Sequence, residues 1–289
     1  MNFSIVFMAI YVMALVIGKV IKRSFPKIGD AIVLTLIFSI AFWGGSQIGS
    51  GETLANVLIG SIVMAFLVVL TTLGVGLAFN KETTVKGQSN LVLTQLKYGI
   101  PLVVGLAFGF FVRPSLPFGT IINYELYALA LIIGFNMGSE IKLRAIFNVT
   151  KEALVTIIVV ILGALACAGL SYELGLLPNL KLAIVMFMGA GWYSYTGPMV
   201  STYYGPVYGV VAFLINFFRE QITFLIVPLL VKVRPNPYSA IAIGGATSMD
   251  TTLGLYSSIF SGEYSLSAMI SGALLTLVIP IILPLTISI

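Results

Sequence analysis

Apolar stretches of about 20 residues recur along this chain, and short polar segments separate them. A helix needs about 20 apolar residues to cross the hydrocarbon core of a bilayer. The blocks therefore predict an all-α polytopic membrane protein with ten helical segments. The segments are residues 3–21, 31–47, 54–79, 98–118, 123–141, 152–172, 182–201, 206–231, 238–260 and 265–287.

Two of these segments carry polar and glycine-rich interruptions. Residues 189–198 read GAGWYSYTGP, and residues 244–252 read GGATSMDTT. Non-helical backbone at membrane depth is tolerated only where protein or a water-filled cavity covers it. We interpret both as broken helices, whose free N–H and C=O groups bind anionic and cationic groups respectively. The alternative is that the small residues only allow close helix packing.

Basic residues give the expected orientation. The runs Lys19–Lys27, Lys81–Lys97 and Lys142–Lys151 all fall on one side of the membrane, and the positive-inside rule makes that side cytoplasmic. Lys232–Arg234 joins them only if the segment 182–201 enters the membrane and returns to the same face. This arrangement has eight full spans plus two re-entrant segments. The other has ten crossings, two of them discontinuous.

Both arrangements put the two chain termini outside the cell. The first basic residues follow the first apolar run, which argues against a cleaved signal peptide and for a first helix. Five segments lie in residues 1–151 and five in residues 152–289, and we treat these as two halves. Segment counting alone raises a five-plus-five inverted repeat, a common plan among transporters.

Composition excludes several classes of protein. The chain is 59% apolar and 9% charged, whereas a soluble domain carries about 25% charged residues. Histidine is absent and Cys167 is the only cysteine, so histidine-based nucleophilic dyads, disulfides and cysteine metal sites are not available. Asp250 is the only aspartate predicted inside the membrane, so an aspartyl protease would lack its second carboxylate. We expect no enzyme activity, no cofactor, no metal and no nucleic-acid binding.

Three charged residues are predicted at the centre of apolar segments. They are Arg219, Glu220 and Asp250. Each costs about 2.5–3.5 kcal/mol at a helix centre unless it finds a partner. Such residues indicate function by default, although Arg219 bridging to Asp250 beside a protonated Glu220 is the structural alternative.

The other carboxylates are predicted near helix ends or in loops. We interpret Asp30, Glu52, Glu82, Glu125, Glu152, Glu173 and Glu263 as solvated charges. Glu140 is interpreted as an interfacial ion pair with Lys142 or Arg144. On the helix that carries Glu220, Asn216 and Thr223 share its face by their spacing.

Four motifs carry a resemblance to a known family. They are GAGWYSYTGP at 189–198, GPVYGVVAF at 205–213, the pair Arg219-Glu220, and GGATSMDTTL at 244–253. In order and spacing they resemble the LysO-type lysine exporters of prokaryotes. The resemblance is strong over residues 180–289, and earlier residues match in segment pattern. One departure is Gly254, where the family often has proline.

The resemblance implies export of L-lysine across the cytoplasmic membrane in exchange for protons, with Glu220 and Asp250 as the matching intramembrane acids. Two carboxylates, one guanidinium and a singly positive lysine sum to zero, so a proton would restore neutrality when lysine leaves. The expected substrate and proton site comprises Asp250, Glu220, Arg219, Asn216, Thr247, Ser248, Trp192 and Ser194. A cation/proton antiporter that binds Na⁺ with the same carboxylates is the alternative. The sequence leaves open whether the chain forms a homodimer.

Overall fold

Helices make up most of the chain in the computed structural model, which describes residues 3–79, 83–84, 96–113, 116–140, 150–260 and 262–288, and no strand occurs among them. The first five helices are α1 (Phe3–Ile21), α2 (Pro26–Gln47), α3 (Gly51–Ala78), α4 (Leu96–Val112) and α5 (Phe118–Glu140). They are followed by α6 (Lys151–Glu173), α7 (Leu180–Met188), α8 (Tyr193–Tyr204), α9 (Pro206–Val233), α10 (Pro237–Gly244), α11 (Leu253–Ile259) and α12 (Gly262–Ser288). The predicted all-helical class is confirmed.

Six of these helices are long and apolar enough to cross a membrane. They are α2, α3, α5, α6, α9 and α12, while α1 and α4 contain shorter apolar stretches. Large apolar side chains such as Ile59, Leu70 and Phe111 point outward and are more than half exposed. An apolar outer surface of this kind suits contact with lipid.

The predicted segment 98–118 is wrong at its C-terminal end. Helix α4 ends at Val112 and α5 already begins at Phe118. Arg113 has a φ of 43°, and its guanidinium donates to the carbonyl oxygens of Ile48 and Gly49. The proline that follows Arg113 in the sequence also disfavours helical backbone at Arg113. The predicted start of the second segment at residue 31 is also wrong. Helix α2 begins at Pro26, because proline suits the first turn of a helix.

Helix ends collect at two opposite ends of the bundle, which we name by one residue each. At the Phe3 end, the ring of Phe3 lies 6.2 Å from that of Tyr203, near the end of α8. At the Asn236 end, the Asn236 amide donates to the carbonyl oxygens of Gly76 and Phe79, at the end of α3. There too, the N–H of Phe25 donates to Asn136 Oδ1 of α5.

Two segments of the second half are interrupted. The first break, residues 189–192, separates α7 from α8, and the second break, residues 245–252, separates α10 from α11. The two breaks touch, since the N–H of Ala246 donates to the carbonyl oxygen of Ala190 at 2.8 Å. The sequence prediction of broken helical segments at these two positions agrees with the described secondary structure.

The helices pack in two groups that do not follow the chain halves. Helix α1 packs on α5, and α2 packs on both α4 and α5. Helix α3 instead packs against α6, α9 and α10, which belong to the second half of the sequence. Among the residues that the structure describes, the first half contains five continuous helices, whereas the second contains three continuous helices and two interrupted segments. The division at residue 151 and the inverted repeat therefore stay predictions.

Candidate functional site

A cavity of about 270 Å³ lies between α2, α5 and the two breaks. Pro26, Gly29 and Asp30 line it from the first turns of α2, and Asn136 lines it near the end of α5. Glu220 of α9 lines it at the middle of the bundle, with Asp250 of the second break. The cavity thus extends from the middle of the bundle toward the Asn236 end. This volume is close to the lower end of the range for ligand pockets, which is about 300–1,000 Å³, so the space suits a small molecule.

Two predicted carboxylates face this cavity in different surroundings. Glu220 is only 2% exposed, and its Oε2 atom is buried without a hydrogen-bond partner. Asp250 is exposed, and its Oδ1 accepts from the N–H of Thr251 at 2.6 Å. No lysine or arginine of the described residues lines the cavity. The wall is therefore acidic and suits a cationic ligand.

Arg219 lies outside the cavity wall. Its Nε donates to the carbonyl oxygen of Ile243 at 2.8 Å, and its Nη2 donates to that of Ala242 at 2.9 Å. These carbonyls are the unpaired acceptors at the C-terminal end of α10, where a cation is stabilised by the helix dipole. The structural alternative of a bridge to Asp250 does not match this geometry. Arg219 holds the end of α10 in place.

Asn216 also bonds to backbone and does not line the cavity. Its Oδ1 accepts from the N–H of Gly191 at 2.8 Å. Its Nδ2 donates to the carbonyl oxygens of Met186 and Ala212, each at 2.9 Å. All three contacts are buried, and together they hold the first break against α9. Thr223 likewise donates to the carbonyl of Arg219 within α9.

Two hydroxyl residues of the second break have different positions. Ser248 is fully buried and donates to the carbonyl oxygens of Gly245 and Ala268, which pins the break to α12. Thr247 lines the cavity, although its hydroxyl also donates to the carbonyl of Gly244. Of the two, only Thr247 is placed to touch a ligand in the cavity.

The first break contributes an aromatic and a hydroxyl residue to the wall. Trp192 and Ser194 both line the cavity, and the ring of Trp192 packs at a tilt against that of Tyr195, with the ring centroids 5.1 Å apart. Helix α8 begins at Tyr193, so the positive end of its dipole lies at the cavity wall. The break thus offers a ring face for a cation and a helix start for an anion.

Close approach of the two breaks depends on glycine. Gly245 has a φ of 63°, and a Cβ atom there would collide with the carbonyl oxygen of Ala190. Gly191 has a φ of 91°, and a Cβ atom there would lie 3.0 Å from the carbonyl oxygen of Gly244. Glycine therefore supplies both the backbone conformation and the space at this crossing.

Asp30 and Asn136 are polar residues of the cavity wall that lie outside the sequence motifs. The predicted boundary at residue 31 leaves Asp30 outside the second segment. Asn136 is a single amide in an apolar helix, and such an amide does not by itself indicate a site. Both line the cavity with Glu220 and Asp250. The proline at the first turn of α2 was the signal that places Asp30 inside the helix.

Glu125 differs from the expectation of a solvated charge. Its Oε1 accepts from the hydroxyl of Ser39 at 2.9 Å, and its Oε2 is buried without a hydrogen-bond partner. Glu125 thus lies in the interface of α2 with α5. The expected ion pair of Glu140 with Lys142 or Arg144 lies outside the residues whose side chains the structure describes.

Comparison with known proteins identifies relatives. The family model for "Lysine exporter LysO" matches residues 100–287. "Lysine exporter LysO" of Escherichia coli is 26% identical over 294 residues, which cover 95% of this chain and 96% of that protein. A "putative lysine exporter" of Haemophilus influenzae is 26% identical over 154 residues, which cover 53% of this chain and 77% of that protein. No solved structure matches this chain.

Proposed function

The chain belongs to the LysO family of lysine exporters, and from this premise we propose that it exports L-lysine across the cytoplasmic membrane in exchange for protons. One observation carries the proposal most directly. The cavity wall holds Glu220 and Asp250 and no basic side chain of the described residues. Such a wall attracts a substrate with two ammonium groups and repels an anion.

We propose that eight helices span the membrane and that the two interrupted segments are re-entrant. Helix α6 starts at the Asn236 end, where the Thr150 and Ser267 hydroxyls are 2.8 Å apart, so α7 begins at the Phe3 end. Helix α8 ends at Tyr204, directly before the full-length α9, which runs to the Asn236 end. These facts support α7 and α8 entering from and returning to the Phe3 end.

The second segment has the reverse arrangement. Helix α10 begins directly after Asn236, and α11 ends just before α12. The start of α12 lies at the Asn236 end, because Tyr264 lies beside Thr83 and the Thr83 N–H donates to the carbonyl of Pro235. Two re-entrant segments from opposite faces would therefore meet at the contact of Ala190 with Ala246.

The Asn236 end is then the cytoplasmic end. Of the 15 basic residues in the sequence, all but three belong to the runs Lys19–Lys27, Lys81–Lys97, Lys142–Lys151 and Lys232–Arg234, which the sequence topology assigns to that end. The exceptions are Arg113, Lys181 and Arg219. The positive-inside rule puts such an end in the cytoplasm and both termini outside. The cavity extends toward that end, so the state described is open to the cytoplasm, as an exporter needs for loading.

Within the cavity we assign one role to each part of lysine. The carboxylates of Glu220 and Asp250 bind ammonium, and Trp192 offers its ring face to the same charge. The α-carboxylate lies at the start of α8 beside the hydroxyls of Ser194 and Thr247, where the helix dipole favours an anion. Arg219, Asn216 and Ser248 act indirectly, because they hold the two breaks in position.

Glu220 is the residue we propose to couple transport to protons. Its buried Oε2 has no hydrogen-bond partner among the described residues, and an ionised carboxylate at mid-membrane is costly. A proton removes that cost when lysine is absent, and a substrate ammonium removes it when lysine is bound. Mutual exclusion of the two cations at one carboxyl group produces antiport. Inward proton movement would also offset the outward movement of lysine charge against the membrane potential.

The experiment is efflux of radiolabelled lysine from purified proteoliposomes. Acidifying the outside should accelerate efflux from vesicles that contain the wild type. The Glu220→Gln variant keeps the size of the side chain and should lose this acceleration, and any residual lysine–lysine exchange should not depend on pH. A Glu263→Gln variant is the control, because Glu263 is an exposed carboxylate at the same end of the bundle and does not line the cavity.

The outcomes separate the candidate functions. Lysine efflux that acidification accelerates in both wild type and Glu220→Gln would assign the proton to Asp250 instead. Absence of lysine flux together with Na⁺ flux driven by a pH gradient would favour the cation/proton antiporter.

A further inference from the structure

We propose that Asp30 determines the substrate specificity of the transport site. Its carboxylate on α2 binds one ammonium group of a diamino acid, while Glu220 and Asp250 hold the other from the opposite wall. This inference rests on the proposed lysine export and concerns the same cavity. It assigns to Asp30 the discrimination between diamino acids and amino acids with one ammonium group.

Asp30 lies one turn into α2, is half-buried and lines the cavity together with Glu220 and Asp250. The preceding Gly29 is buried, and a Cβ atom there would lie 3.5 Å from the amide nitrogen of Asn136, which is an ordinary van der Waals contact. Gly29 therefore lies against α5, and Asp30 follows it on the cavity side of α2.

The buried carboxylate of Glu220 is an independent observation that points to a cationic ligand. Glu220 is 2% exposed, lines the cavity, and its Oε2 has no hydrogen-bond partner. Buried polar groups in proteins are satisfied in the great majority of cases. A cationic group of the ligand is what this oxygen needs, since no basic side chain of the described residues lines the cavity.

The three carboxylates lie on different elements of the cavity wall. Asp30 lines it from α2, Glu220 from α9 and Asp250 from the second break. A single small cation can contact only part of such a set. A diamino acid carries two ammonium groups separated by the length of its side chain, and it can reach both walls.

The carboxylates are also divided between the two packing groups. Asp30 belongs to α2, which packs mainly on α4 and α5 and less on α9, whereas Glu220 and Asp250 belong to the elements that hold the two breaks. A diamino acid would join the two groups electrostatically, and an amino acid with one ammonium would join only one of them. The separation of the two ammonium groups in the substrate thus decides whether it contacts both packing groups.

The test compares L-lysine with L-norleucine, which has the carbon chain of lysine without the ε-ammonium. Each compound competes for uptake of radiolabelled lysine into lysine-loaded proteoliposomes. For the wild type, norleucine should need at least about a tenfold higher concentration for half-inhibition, because sites that bind a polar group reject analogues without it. With Asp30→Asn, lysine should compete less well while norleucine is unchanged, so the ratio of the two concentrations falls toward one.

Two further variants separate specificity from folding. Asp30→Glu keeps the charge and should retain most of the discrimination, and Glu263→Gln removes an exposed carboxylate outside the cavity and should retain all of it. An unchanged ratio in Asp30→Asn, or an equal weakening of both competitors, would overturn the role of Asp30. If Asp30→Asn does not insert into the membrane, Asp30→Ser replaces it in the test. Loss of discrimination in Asp30→Ser would support the role of Asp30, and retained discrimination would overturn it. A wild type that exchanges no lysine would instead refute the proposed function.

Discussion

Asp250 and Glu220 are both carboxylates of the cavity, but only Asp250 is exposed. We predict that Asp250→Asn abolishes lysine export while the protein still inserts into the membrane. The amide keeps the size of the side chain and loses the charge that balances a substrate ammonium. Lysine efflux from proteoliposomes measures this, with the amount of inserted protein determined by immunoblot. Export near the wild-type rate would make Asp250 a structural residue.

Arg219 is predicted to act through stability. An Arg219→Lys variant keeps the charge, but the flexible ammonium lacks the planar fork that aligns two N–H groups with the carbonyls of Ile243 and Ala242. Loss of a charged hydrogen bond costs about 1.5–3 kcal/mol, so the melting temperature in detergent should fall. Arg23→Lys is the matched control at an exposed position and should leave the melting temperature unchanged. Equal melting temperatures for both variants would contradict the role assigned to Arg219.

Sequence reasoning located charged residues of the site better than their partners. Glu220 and Asp250 stand out because a charge within an apolar run is costly and therefore visible. The partners of Arg219 are backbone carbonyls of α10. Every residue has a backbone carbonyl, so the residue types in the sequence do not reveal such a partner. Asp30 was missed because its assignment depended on where one helix begins, and helix boundaries are the least certain part of a sequence prediction.

At the scale of elements, the crossing of the two breaks depends on Gly245. We predict that Gly245→Ala destabilises the protein by about 1–3 kcal/mol, because alanine is strained at a positive φ and its Cβ would collide with the Ala190 carbonyl. The melting temperature and the lysine efflux rate should both fall. Gly60→Ala is the control, since Gly60 lies within α3 with no atom near its Cβ position.

The two glycine variants should differ in stability. Alanine is the better helix former, so Gly60→Ala should leave stability unchanged or raise it by up to about 1 kcal/mol. A Gly245→Ala variant as stable and as active as Gly60→Ala would mean that the two breaks need not touch for transport.

The positions of the segments could be predicted because a membrane helix needs a long apolar stretch, and such stretches are visible in the sequence. The ten predicted segments therefore find their counterparts in α1 to α12, with the two interrupted segments each counted once. The boundary after α4 could not be predicted from hydropathy, because it depends on Arg113 reaching the carbonyls of Ile48 and Gly49. Contacts between elements decide such ends, and hydropathy describes only one segment at a time.

For the whole molecule, the proposed topology predicts opposite accessibility at two exposed positions. Lys232→Cys should react with a membrane-impermeant thiol reagent only after cells are permeabilised, and Glu173→Cys should react in intact cells. The native Cys167 is fully buried and should give little background. Labelling of Lys232→Cys from outside would favour ten crossings over two re-entrant segments.

The cavity lies where the two packing groups meet, so relative movement of the groups would expose it to the other side. Aromatic rings lie between the cavity and the Phe3 end. The ring of Trp192, on the cavity wall, lies 5.1 Å from that of Tyr195, and Tyr195 lies 5.2 Å from Phe7 of α1. Phe7 is in turn 6.1 Å from Phe3. Opening of the cavity to the Phe3 end would require these rings to separate.

A cysteine in the cavity should therefore report the state of the transporter. We predict that Val33→Cys, on the α2 wall, reacts with a charged thiol reagent added from the cytoplasmic side of inverted membrane vesicles and that lysine slows the reaction. Val63→Cys is the matched control, because Val63 is 48% exposed on the outer surface of α3. In a bilayer that surface meets lipid, so a charged reagent should not reach it, with or without lysine. Reaction of Val33→Cys that lysine leaves unchanged would place the substrate elsewhere, and reaction only from the outside would reverse the orientation of the cavity.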